Sequence, residues 1–327
     1  MTTTPSPSTG TGPGTGSATG PAIRTRALTK HYGDFPALVD LDLDVRRGEV
    51  FGFLGPNGAG KTTMIRTILD LIRPTSGTAH ILGFDSHADA VEIRRHIGYL
   101  PSDLSMYPRL TGKDTLAYFA NLRGGVDWGH VDALAHRLSA QLDKKVGDLS
   151  SGNRQKVGLI QAFMNRPELI IMDEPSAGLD PLVQQEFQQM MREVAADGRT
   201  VFLSSHTLSE VQRVADRVGI IRNGHLVDVE GVHDLRSKAI RRVELAFDAP
   251  VDAAEFEAVD GVRDTELRGN AIMLSFDGDM EELLAVATGR HHLVDINSEE
   301  ADLEEIFLAY YRDDVAATGS AREQARA

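Results

Sequence analysis

A glycine-rich segment between an apolar run and a helical pattern carries the strongest chemical signal in the chain. It allows the backbone to curl so that amide groups point at phosphate oxygens, and the helix start that follows adds positive potential. The Lys61 ammonium can reach the β- and γ-phosphates of a nucleotide, and the Thr62 hydroxyl can bind Mg²⁺. The segment therefore predicts a phosphate loop, made of Gly55, Pro56, Asn57, Gly58, Ala59, Gly60, Lys61, Thr62 and Thr63.

Two adjacent carboxylates, Asp173 and Glu174, end a second apolar run, LIIMDEP. Parallel sheets bind ligands at the carboxyl ends of their strands, so both side chains are predicted to lie near the nucleotide. Asp173 would hold Mg²⁺ directly or through water, and Glu174 would orient and polarise the water that attacks the γ-phosphate. An Asp-Glu pair alone more often caps a helix or lies in a solvated loop. The phosphate loop upstream favours the catalytic interpretation.

Two further side chains are candidates for the same site. His206 follows the strand pattern TVFLSS at the same edge of the sheet, where an imidazole can donate a hydrogen bond to the γ-phosphate. Tyr32 lies ahead of the phosphate loop, in a segment that could fold over the nucleotide and stack the ring on adenine. Either side chain alone would more often have a structural role.

The segment LSSGNRQK precedes another helical pattern and presents a second set of anion donors. Its serine and glycine can offer hydroxyl and amide groups to an anion at the helix N-terminus. The alternative is an ordinary serine-capped helix start. The candidate residues of this segment are Ser150, Ser151, Gly152 and Asn153.

The elements that must position these residues alternate between strand-like and helical patterns. Over residues 49–231 apolar runs alternate with longer helical segments, which indicates an α/β fold with a buried, largely parallel sheet. Before them, IRTRALTK and LVDLDLDV alternate like half-buried strands and predict an antiparallel edge layer. Helical patterns dominate residues 101–165 and predict a helical sub-lobe. IIRNGHLVDVEG predicts a hairpin that turns at Asn223 and Gly224.

Composition divides the chain into four regions. Residues 1–22 are almost wholly Thr, Gly, Pro and Ser and predict a disordered leader rather than a signal peptide. The α/β core is predicted over residues 23–238. The pattern then restarts and predicts a small acidic α+β domain over residues 239–312, with a last helix at ADLEEIFLAYYRD. Residues 313–327 are predicted to form a flexible tail.

Length and composition restrict the class of protein. The chain has 327 residues, of which 41% are hydrophobic and 25% charged, and it has no cysteine. An integral channel is excluded because no apolar run is long enough to span a membrane, and thiolate chemistry, disulfides and cysteine zinc sites are excluded as well. The net charge of −14 is concentrated in residues 240–327, with 8 basic and 21 acidic residues. Because such a region repels phosphate backbones, we expect no nucleic-acid partner.

The order of the motifs resembles the ATP-binding subunit of ABC transporters over residues 23–238. That order is Tyr32, phosphate loop, helical lobe, LSSGNRQK, LIIMDEP, SAGLD and His206. The resemblance implies a P-loop ABC ATPase core that binds ATP and Mg²⁺ and hydrolyses ATP. It also implies a head-to-tail dimer, with an identical second subunit expected, in which each ATP lies between the phosphate loop of one subunit and Ser150 to Gly152 of the other. Asp180, in SAGLD, would signal across that dimer, and Tyr32 would contact adenine.

The residues after 239 are similar to the accessory domain of ABC-2 type ATPases, which are linked with drug, antibiotic or lipid export. The resemblance therefore implies an exporter whose substrate path is provided by separately encoded membrane permease subunits. It places the chain in the cytoplasm, peripheral on the inner face of the cell membrane. The absence of cysteines fits that reducing compartment.

The sequence departs from the family pattern in two motifs. The signature more often reads Leu-Ser-Gly-Gly-Gln, and here Ser151 and Asn153 replace the third and fifth residues. In IGYLPSDLSMYPRLTG, the Gln or Glu that usually follows the proline and senses the γ-phosphate and Mg²⁺ is replaced by Ser102, with Asp103 next. Asp103 either supplies the missing oxygen ligand through a water or caps a helical turn after Pro101.

The sequence also leaves functional alternatives open. Met106, Tyr107 and Leu110 suit either an apolar docking surface for a membrane partner or a locally packed loop.

Soluble ABC proteins that act on ribosomes carry two cassettes, and the DNA-repair type inserts a long coiled coil between phosphate loop and signature. This chain has one cassette and a short gap, which favours a transporter subunit. A soluble ABC ATPase with a regulatory, non-transport role is the remaining alternative.

Overall fold

The computed structural model describes residues 20–237 and 241–299 of the chain. These residues divide into two compact units between Val229 and Glu230. That division comes ahead of the predicted domain boundary at residue 238, which stays a prediction.

Both predicted terminal regions fall largely outside the described residues. This applies to most of the predicted leader, to the predicted last helix and to the predicted tail. Ala22, the last residue of the predicted leader, is buried, and its N–H donates to the Val45 carbonyl at 2.8 Å. That residue is therefore part of the folded unit rather than of a disordered leader.

In the described part of the chain, the first unit contains ten strands and seven helices, with a short 3-10 helix at Val146–Asp148. The strands are β1 (Ile23–Tyr32), β2 (Phe35–Val45), β3 (Val50–Leu54), β4 (Ser76–Ile81), β5 (Phe84–Asp85), β6 (Ile97–Leu100), β7 (Leu169–Asp173), β8 (Thr200–Ser205), β9 (Arg217–Arg222) and β10 (His225–Gly231), which ends just past the division. The helices are α1 (Lys61–Ile68), α2 (Ala90–His96), α3 (Gly112–Leu122), α4 (Trp128–Arg137), α5 (Ser151–Phe163), α6 (Pro181–Ala196) and α7 (Leu208–Gln212).

The central sheet has the strand order β10-β9-β3-β8-β7-β6, and its pairings from β9 to β6 are parallel. Every residue of β3, β7 and β8 is buried, because both faces of the sheet are covered. Phe51 of β3 stacks on Phe202 of β8 with ring centroids 5.8 Å apart. The carboxyl ends of β3, β7 and β8 therefore meet at one rigid edge, as the sequence predicts for the site.

The edge layer is an antiparallel sheet in the order β2-β1-β4-β5. Leu38, Leu41 and Leu43 of β2 are buried in a core that also contains Met64 and Ile65 of α1. The layer therefore packs against the helix that follows the phosphate loop. Both the antiparallel edge layer and the α/β core confirm the predicted fold class.

The predicted hairpin joins β9 to β10 at Asn223 and Gly224. Both residues have positive φ, 48° and 80°, which is the geometry of a two-residue turn matched to twisted strands. The Gly224 N–H donates to the Ala59 carbonyl at 2.9 Å, and its carbonyl accepts from Val39 at 2.9 Å. The turn thus connects the phosphate loop to the edge layer.

The helical sub-lobe consists of α3, α4, the 3-10 helix and α5. Thr111 and Asp114 form a reciprocal capping box at the start of α3, and Asp127 caps α4 by accepting from His130. Leu116, Val131, Leu134 and Leu138 are buried in this lobe. The lobe inserts between β6 and β7, as the sequence predicts.

The second unit is an α+β module. Its elements are α8 (Val232–Ser237), β11 (Arg241–Phe247), α9 (Ala253–Glu257), β12 (Val262–Arg268), β13 (Ala271–Phe276), α10 (Met280–Arg290) and β14 (Leu293–Glu299). From β11 onward the order is βαββαβ, and the antiparallel sheet runs β12-β13-β11-β14, a split βαβ arrangement. Val243, Leu245, Ile272 and Leu274 form one buried face. No helix in the described ranges is long and apolar enough to cross a membrane.

Candidate active site

The phosphate loop joins the end of β3 to the start of α1 at the carboxyl edge of the central sheet. Gly58 and Gly60 have φ of 82° and 111°, which L side chains rarely adopt. A Cβ at Gly60 would also lie 2.6 Å from the Ala37 carbonyl oxygen, so this turn requires glycine. Gly60 precedes α1 without a capping side chain. The first amide groups of α1 are therefore able to bind an anion.

Lys61 begins α1 with its side chain buried beneath the loop. Its Nζ donates to the carbonyls of Gly55 at 2.6 Å and Pro56 at 3.2 Å. The same Nζ lies 3.1 Å from Glu174 Oε1. The ammonium thus lies between the phosphate loop and the carboxylate that the sequence assigns to the attacking water.

Asp173 ends β7 fully buried and accepts hydrogen bonds on both carboxylate oxygens. Its Oδ2 accepts from Thr62 Oγ1 at 2.7 Å, and its Oδ1 accepts from the Ser204 hydroxyl. Asp173 and Ser204 are register partners in the parallel pairing of β7 with β8. The start of α1 and the ends of two strands therefore converge on one carboxylate.

Glu174 leaves the strand direction immediately after Asp173. Its φ of 51° lies in the left-handed region, and its N–H is shared between the Ser204 hydroxyl at 3.1 Å and the Ser204 carbonyl at 3.3 Å. Its Oε2 lies 2.8 Å from Nδ1 of His206. The Nδ1 atom therefore faces the carboxylate, and Nε2 is the ring nitrogen that Glu174 does not contact.

An open cleft of about 440 Å³ brings some of the predicted site residues together, and Asp173 and His206 are not among its lining residues. Most of the phosphate loop lines it, together with Tyr32, Phe35, Ser102 and Glu174. Tyr32 is half exposed and lies beside the loop, with Lys30 Nζ 5.2 Å from its ring centroid. The cleft therefore combines hydrogen-bond donors for phosphate with exposed aromatic rings that can stack on a base.

The signature segment is placed at the start of α5. Ser150 caps the helix by accepting from the Asn153 N–H at 3.2 Å, and both Ser150 and Ser151 are exposed. A Cβ at Gly152 would lie 2.4 Å from the Gly178 carbonyl oxygen, so the helix start packs directly on the SAGLD loop.

The Asn153 side chain is bonded within its own subunit. It is buried, accepts from the Gln141 N–H at 2.8 Å and donates to the Gln141 carbonyl at 2.9 Å. The amide therefore holds the preceding loop. A contact of Asn153 with the ATP of a partner subunit stays a prediction.

Asp180 caps α6, the helix that follows the SAGLD loop. Its Oδ1 accepts from the Val183 N–H at 3.0 Å, and its Oδ2 lies 3.5 Å from Lys156 Nζ. The backbone hydrogen bond from Val183, together with Lys156, lowers the pKa of Asp180. Asp180 is thus linked to α5 through Lys156, and its role in signalling between subunits stays a prediction.

The replaced sensor segment lies next to the cleft. Ser102 lines the cleft, and both Ser102 and Asp103 are exposed. Residues 102 and 103 form bends, and the next helix begins at Gly112. The helical turn after Pro101 that the capping alternative requires is therefore not formed. The ligand role of Asp103 stays a prediction.

An apolar groove lies between the end of α1, β6 and α3. Leu71, Tyr99, Phe119 and Leu122 line it, with Arg94 and Arg123 among its polar residues. Burial, together with the charge of Asp173, raises the pKa of Tyr99, so its hydroxyl stays neutral. Of the predicted docking residues, Tyr107 is exposed and meets the Tyr118 ring edge-on at 5.8 Å.

Sequence reasoning missed three residues that shape the site. Ser204 bonds both to Asp173 and to Glu174, and its only signal was its position at the carboxyl end of a predicted strand. Gln155 donates from Nε2 to the Pro175 carbonyl at 2.8 Å and ties α5 to the loop after Glu174. Phe35, which is 62% exposed, lines the cleft near Tyr32.

Comparison with known proteins assigns this geometry to a family. The family model described as ABC transporter matches residues 38–177, from the edge layer to the loop after Glu174. The bacitracin transport ATP-binding protein BcrA of Enterococcus faecalis is 32% identical over 87% of this chain and 94% of its own length. The chain belongs to the ATP-binding proteins of ABC transporters. It is the subunit that binds and hydrolyses ATP for such a transporter.

Two other similar proteins agree with that membership. BcrA of Bacillus licheniformis is 39% identical over 63% of this chain and 68% of its own length. A solved ATP-binding subunit of an ABC transporter is 31% identical, covers 66% of this chain and 92% of its own, and superposes with a TM-score of 0.61. The Enterococcus relative aligns over more residues than the predicted ABC core alone contains, so the similarity reaches into the second unit. Nothing in these comparisons supports the regulatory, non-transport alternative.

Proposed function

We propose that this ABC ATPase powers the export of an antibiotic or similar drug through separate membrane subunits. ATPase cassettes of the family dimerise and work with membrane permeases, and we propose a homodimer for this chain. The observation that carries the export assignment is the similarity to BcrA along nearly its whole length. The proposed location is the inner face of the cell membrane, where the permease would hold the subunit.

The donor set at Thr62 and Asp173 fits Mg²⁺, which prefers oxygen ligands and keeps several waters. A hydroxyl and a carboxylate oxygen lie 2.7 Å apart at the end of the phosphate loop. No group of three or more His, Asp or Glu side chains that could hold a metal occurs in the part of the chain that the structure describes. The remaining ligands would therefore come from nucleotide and water. When bound, Mg²⁺ would neutralise charge on the β- and γ-phosphates.

The side chains around the γ-phosphate position have complementary roles in the proposed hydrolysis. The oxygen of a water forms a bond to the γ-phosphorus while the bond to the β–γ bridging oxygen breaks, giving ADP and phosphate. Glu174 orients the water and takes its proton. Lys61, released from Glu174, follows the phosphate oxygens as charge moves to the leaving group. His206 can donate from Nε2 only when both of its ring nitrogens are protonated, since Nδ1–H already faces Glu174.

The exposed signature serines suit the proposed dimer. Ser150 and Ser151 stand at the N-terminus of the 13-residue helix α5, where hydroxyl and amide donors can meet the ATP of a second subunit. Gly152 packs on Gly178, and Gln155 bonds to the Pro175 carbonyl. The signature of each subunit is thus fixed to the same loop that carries its own Glu174.

The apolar groove beside α3 is the proposed docking site for the membrane subunit. Leu71 and Leu122, exposed by 51% and 67%, would be covered by an apolar segment of the permease. Arg94 and Arg123 in the groove favour a segment that also carries a carboxylate. The groove includes Tyr99 of β6, which pairs with β7 just before Asp173, so docking and hydrolysis share one sheet edge.

The export proposal is tested by expressing the chain with its neighbouring membrane subunits in a bacitracin-sensitive strain. We expect resistance to rise with the wild-type chain and to stay at the control level with Lys61→Ala. Resistance that is equal with both chains would contradict ATP-driven export. Unchanged susceptibility to bacitracin, together with resistance to a different drug, would support export of a substrate other than bacitracin.

A further inference from the structure

Ser204 contacts both acidic residues of the site through one buried hydroxyl. Its Oγ donates to Asp173 Oδ1 and accepts from the Glu174 N–H at 3.1 Å. The residue is fully buried on β8, next to the position where β7 ends. The same hydroxyl therefore contacts both the carboxylate proposed to hold Mg²⁺ and the backbone of the residue proposed to orient water.

The bond to Asp173 fixes the rotation of its carboxylate. Thr62 holds Oδ2, so without Ser204 the group would be anchored at one oxygen and free to turn about its last side-chain bond. A fully buried carboxylate oxygen without a donor also loses the solvation that water would have given it. Ser204 thus keeps Oδ2 directed at Thr62, where the metal would lie.

The bond from Glu174 stabilises an unfavourable backbone conformation. A glutamate at φ 51° costs free energy because its Cβ approaches the following carbonyl. The Ser204 hydroxyl and carbonyl together accept the Glu174 N–H and hold that turn. The turn directs the Glu174 side chain towards Lys61 and His206.

We propose that Ser204 is a positioning residue for ATP hydrolysis, which sets the Asp173 carboxylate for Mg²⁺ and the Glu174 turn for the attacking water. This inference rests on the proposed roles of Asp173 and Glu174. The Ser204 hydroxyl does not contact the cleft itself. Its effect is transmitted through the two residues that it bonds.

The test compares Ser204→Ala with Ser204→Thr in the full-length chain. We expect Ser204→Ala to raise the Mg²⁺ concentration for half-maximal ATPase activity about tenfold. The free energy of a hydrogen bond to a charged group corresponds to about this factor. The kcat at saturating Mg²⁺ should also fall, because the Glu174 turn is less well held. Ser204→Thr keeps the hydroxyl in a strand position that suits a β-branched residue, and it should restore both values.

A binding measurement separates positioning from a general loss of structure. We expect a fluorescent ATP analogue to bind Ser204→Ala as tightly as wild type in EDTA, and to gain about tenfold less affinity than wild type on addition of Mg²⁺. Ser205→Ala is the matched control, because Ser205 is equally buried on β8 but bonds to Thr207 and Glu210 instead. Its Mg²⁺ dependence should equal that of wild type.

Each result decides the inference. An unchanged Mg²⁺ dependence in Ser204→Ala, or a Ser204→Thr variant as impaired as Ser204→Ala, would overturn it. If Ser204→Ala does not fold, Ser204→Cys removes the strong donor with little change in shape, and the same two measurements apply. Wild-type turnover in Glu174→Gln would instead contradict the proposed site, whatever Ser204 does.

Discussion

Thr62 Oγ1 lies 2.7 Å from Asp173 Oδ2, although 111 residues separate the two in the chain. The contact exists because the phosphate loop follows β3 and Asp173 ends β7, and both strands pair with β8. The central sheet therefore acts as the rigid frame that joins the Thr62 hydroxyl, which is proposed to bind Mg²⁺, to the Asp173 carboxylate.

Replacing Lys61 with alanine should abolish hydrolysis while the fold is retained. The variant removes the ammonium that the Gly55 and Pro56 carbonyls hold beside Glu174. We expect a fall in kcat of about 100-fold or more, the size of effect seen when a charge-stabilising donor is lost. Phosphate release measures this change, and Lys113→Ala, at an exposed position on α3, is the control. Wild-type turnover in Lys61→Ala would contradict the phosphate-loop assignment.

Glu174→Gln should bind ATP without turning it over. The amide keeps the shape of the side chain but loses the acceptor charge that faces His206 and Lys61. Because two trapped ATP molecules would hold two subunits together, we expect a shift from monomer to dimer on size-exclusion chromatography in ATP. Glu266→Gln, on the exposed surface of β12, is the matched control and should elute as wild type. A Glu174→Gln variant that stays monomeric at every ATP concentration would count against the dimer.

The parts of the site that the sequence predicts are those fixed by local patterns. The phosphate loop needs Gly58 and Gly60 for its positive φ, and the Asp173–Glu174 pair follows directly from an apolar strand. The contact of Asn153 with Gln141 spans 12 positions, and the contact of Ser204 with the Asp173 carboxylate spans 31. No spacing or periodicity within one segment reports such contacts.

Gly152→Ala should disturb the start of the signature helix. A methyl group there would lie 2.4 Å from the Gly178 carbonyl oxygen, so the helix or the SAGLD loop must move. We expect a loss of about 1–3 kcal/mol in the free energy of unfolding, as for other overpacked sites, and weaker ATP-dependent dimerisation. Gly289→Ala is the control, since a Cβ there meets nothing within 4 Å on a helix. An equal stability of the two variants would show that the contact is not restrictive.

Ser102 and Asp103 can be distinguished by their effect on the Mg²⁺ dependence of the ATPase. Ser102 lines the cleft, and both side chains are exposed. From the predicted ligand role of Asp103 through a bridging water, we expect Asp103→Ala to raise the Mg²⁺ concentration for half-maximal ATPase activity several-fold and Ser102→Ala to leave it near the wild-type value. An unchanged Mg²⁺ dependence in Asp103→Ala would contradict that ligand role, and a large effect of Ser102→Ala alone would assign the ligand to the hydroxyl instead.

The first unit should lose stability as the pH falls below about 5. Backbone hydrogen bonds from Ala88 and His87 lower the pKa of Asp85, hydrogen bonds from Thr111 lower that of Asp114, and the Val183 N–H lowers that of Asp180. Each group binds a proton less readily in the folded chain than in the unfolded chain, where its pKa is about 3.9. Their stabilisation is therefore present above that pKa and is lost as the pH falls through the lower folded values.

Urea unfolding followed by the fluorescence of Trp128, the single tryptophan, measures this loss. We expect the unfolding midpoint to fall between about pH 5 and pH 3, and to fall less in a variant that combines Asp85→Asn, Asp114→Asn and Asp180→Asn. The asparagine side chain can still accept a hydrogen bond from a backbone N–H but does not titrate. The opposite contribution of Glu49, whose pKa is raised by burial, is unchanged by these substitutions. A triple variant with the same pH dependence as Asp132→Asn, an exposed change on α4, would show that these three carboxylates do not govern acid stability.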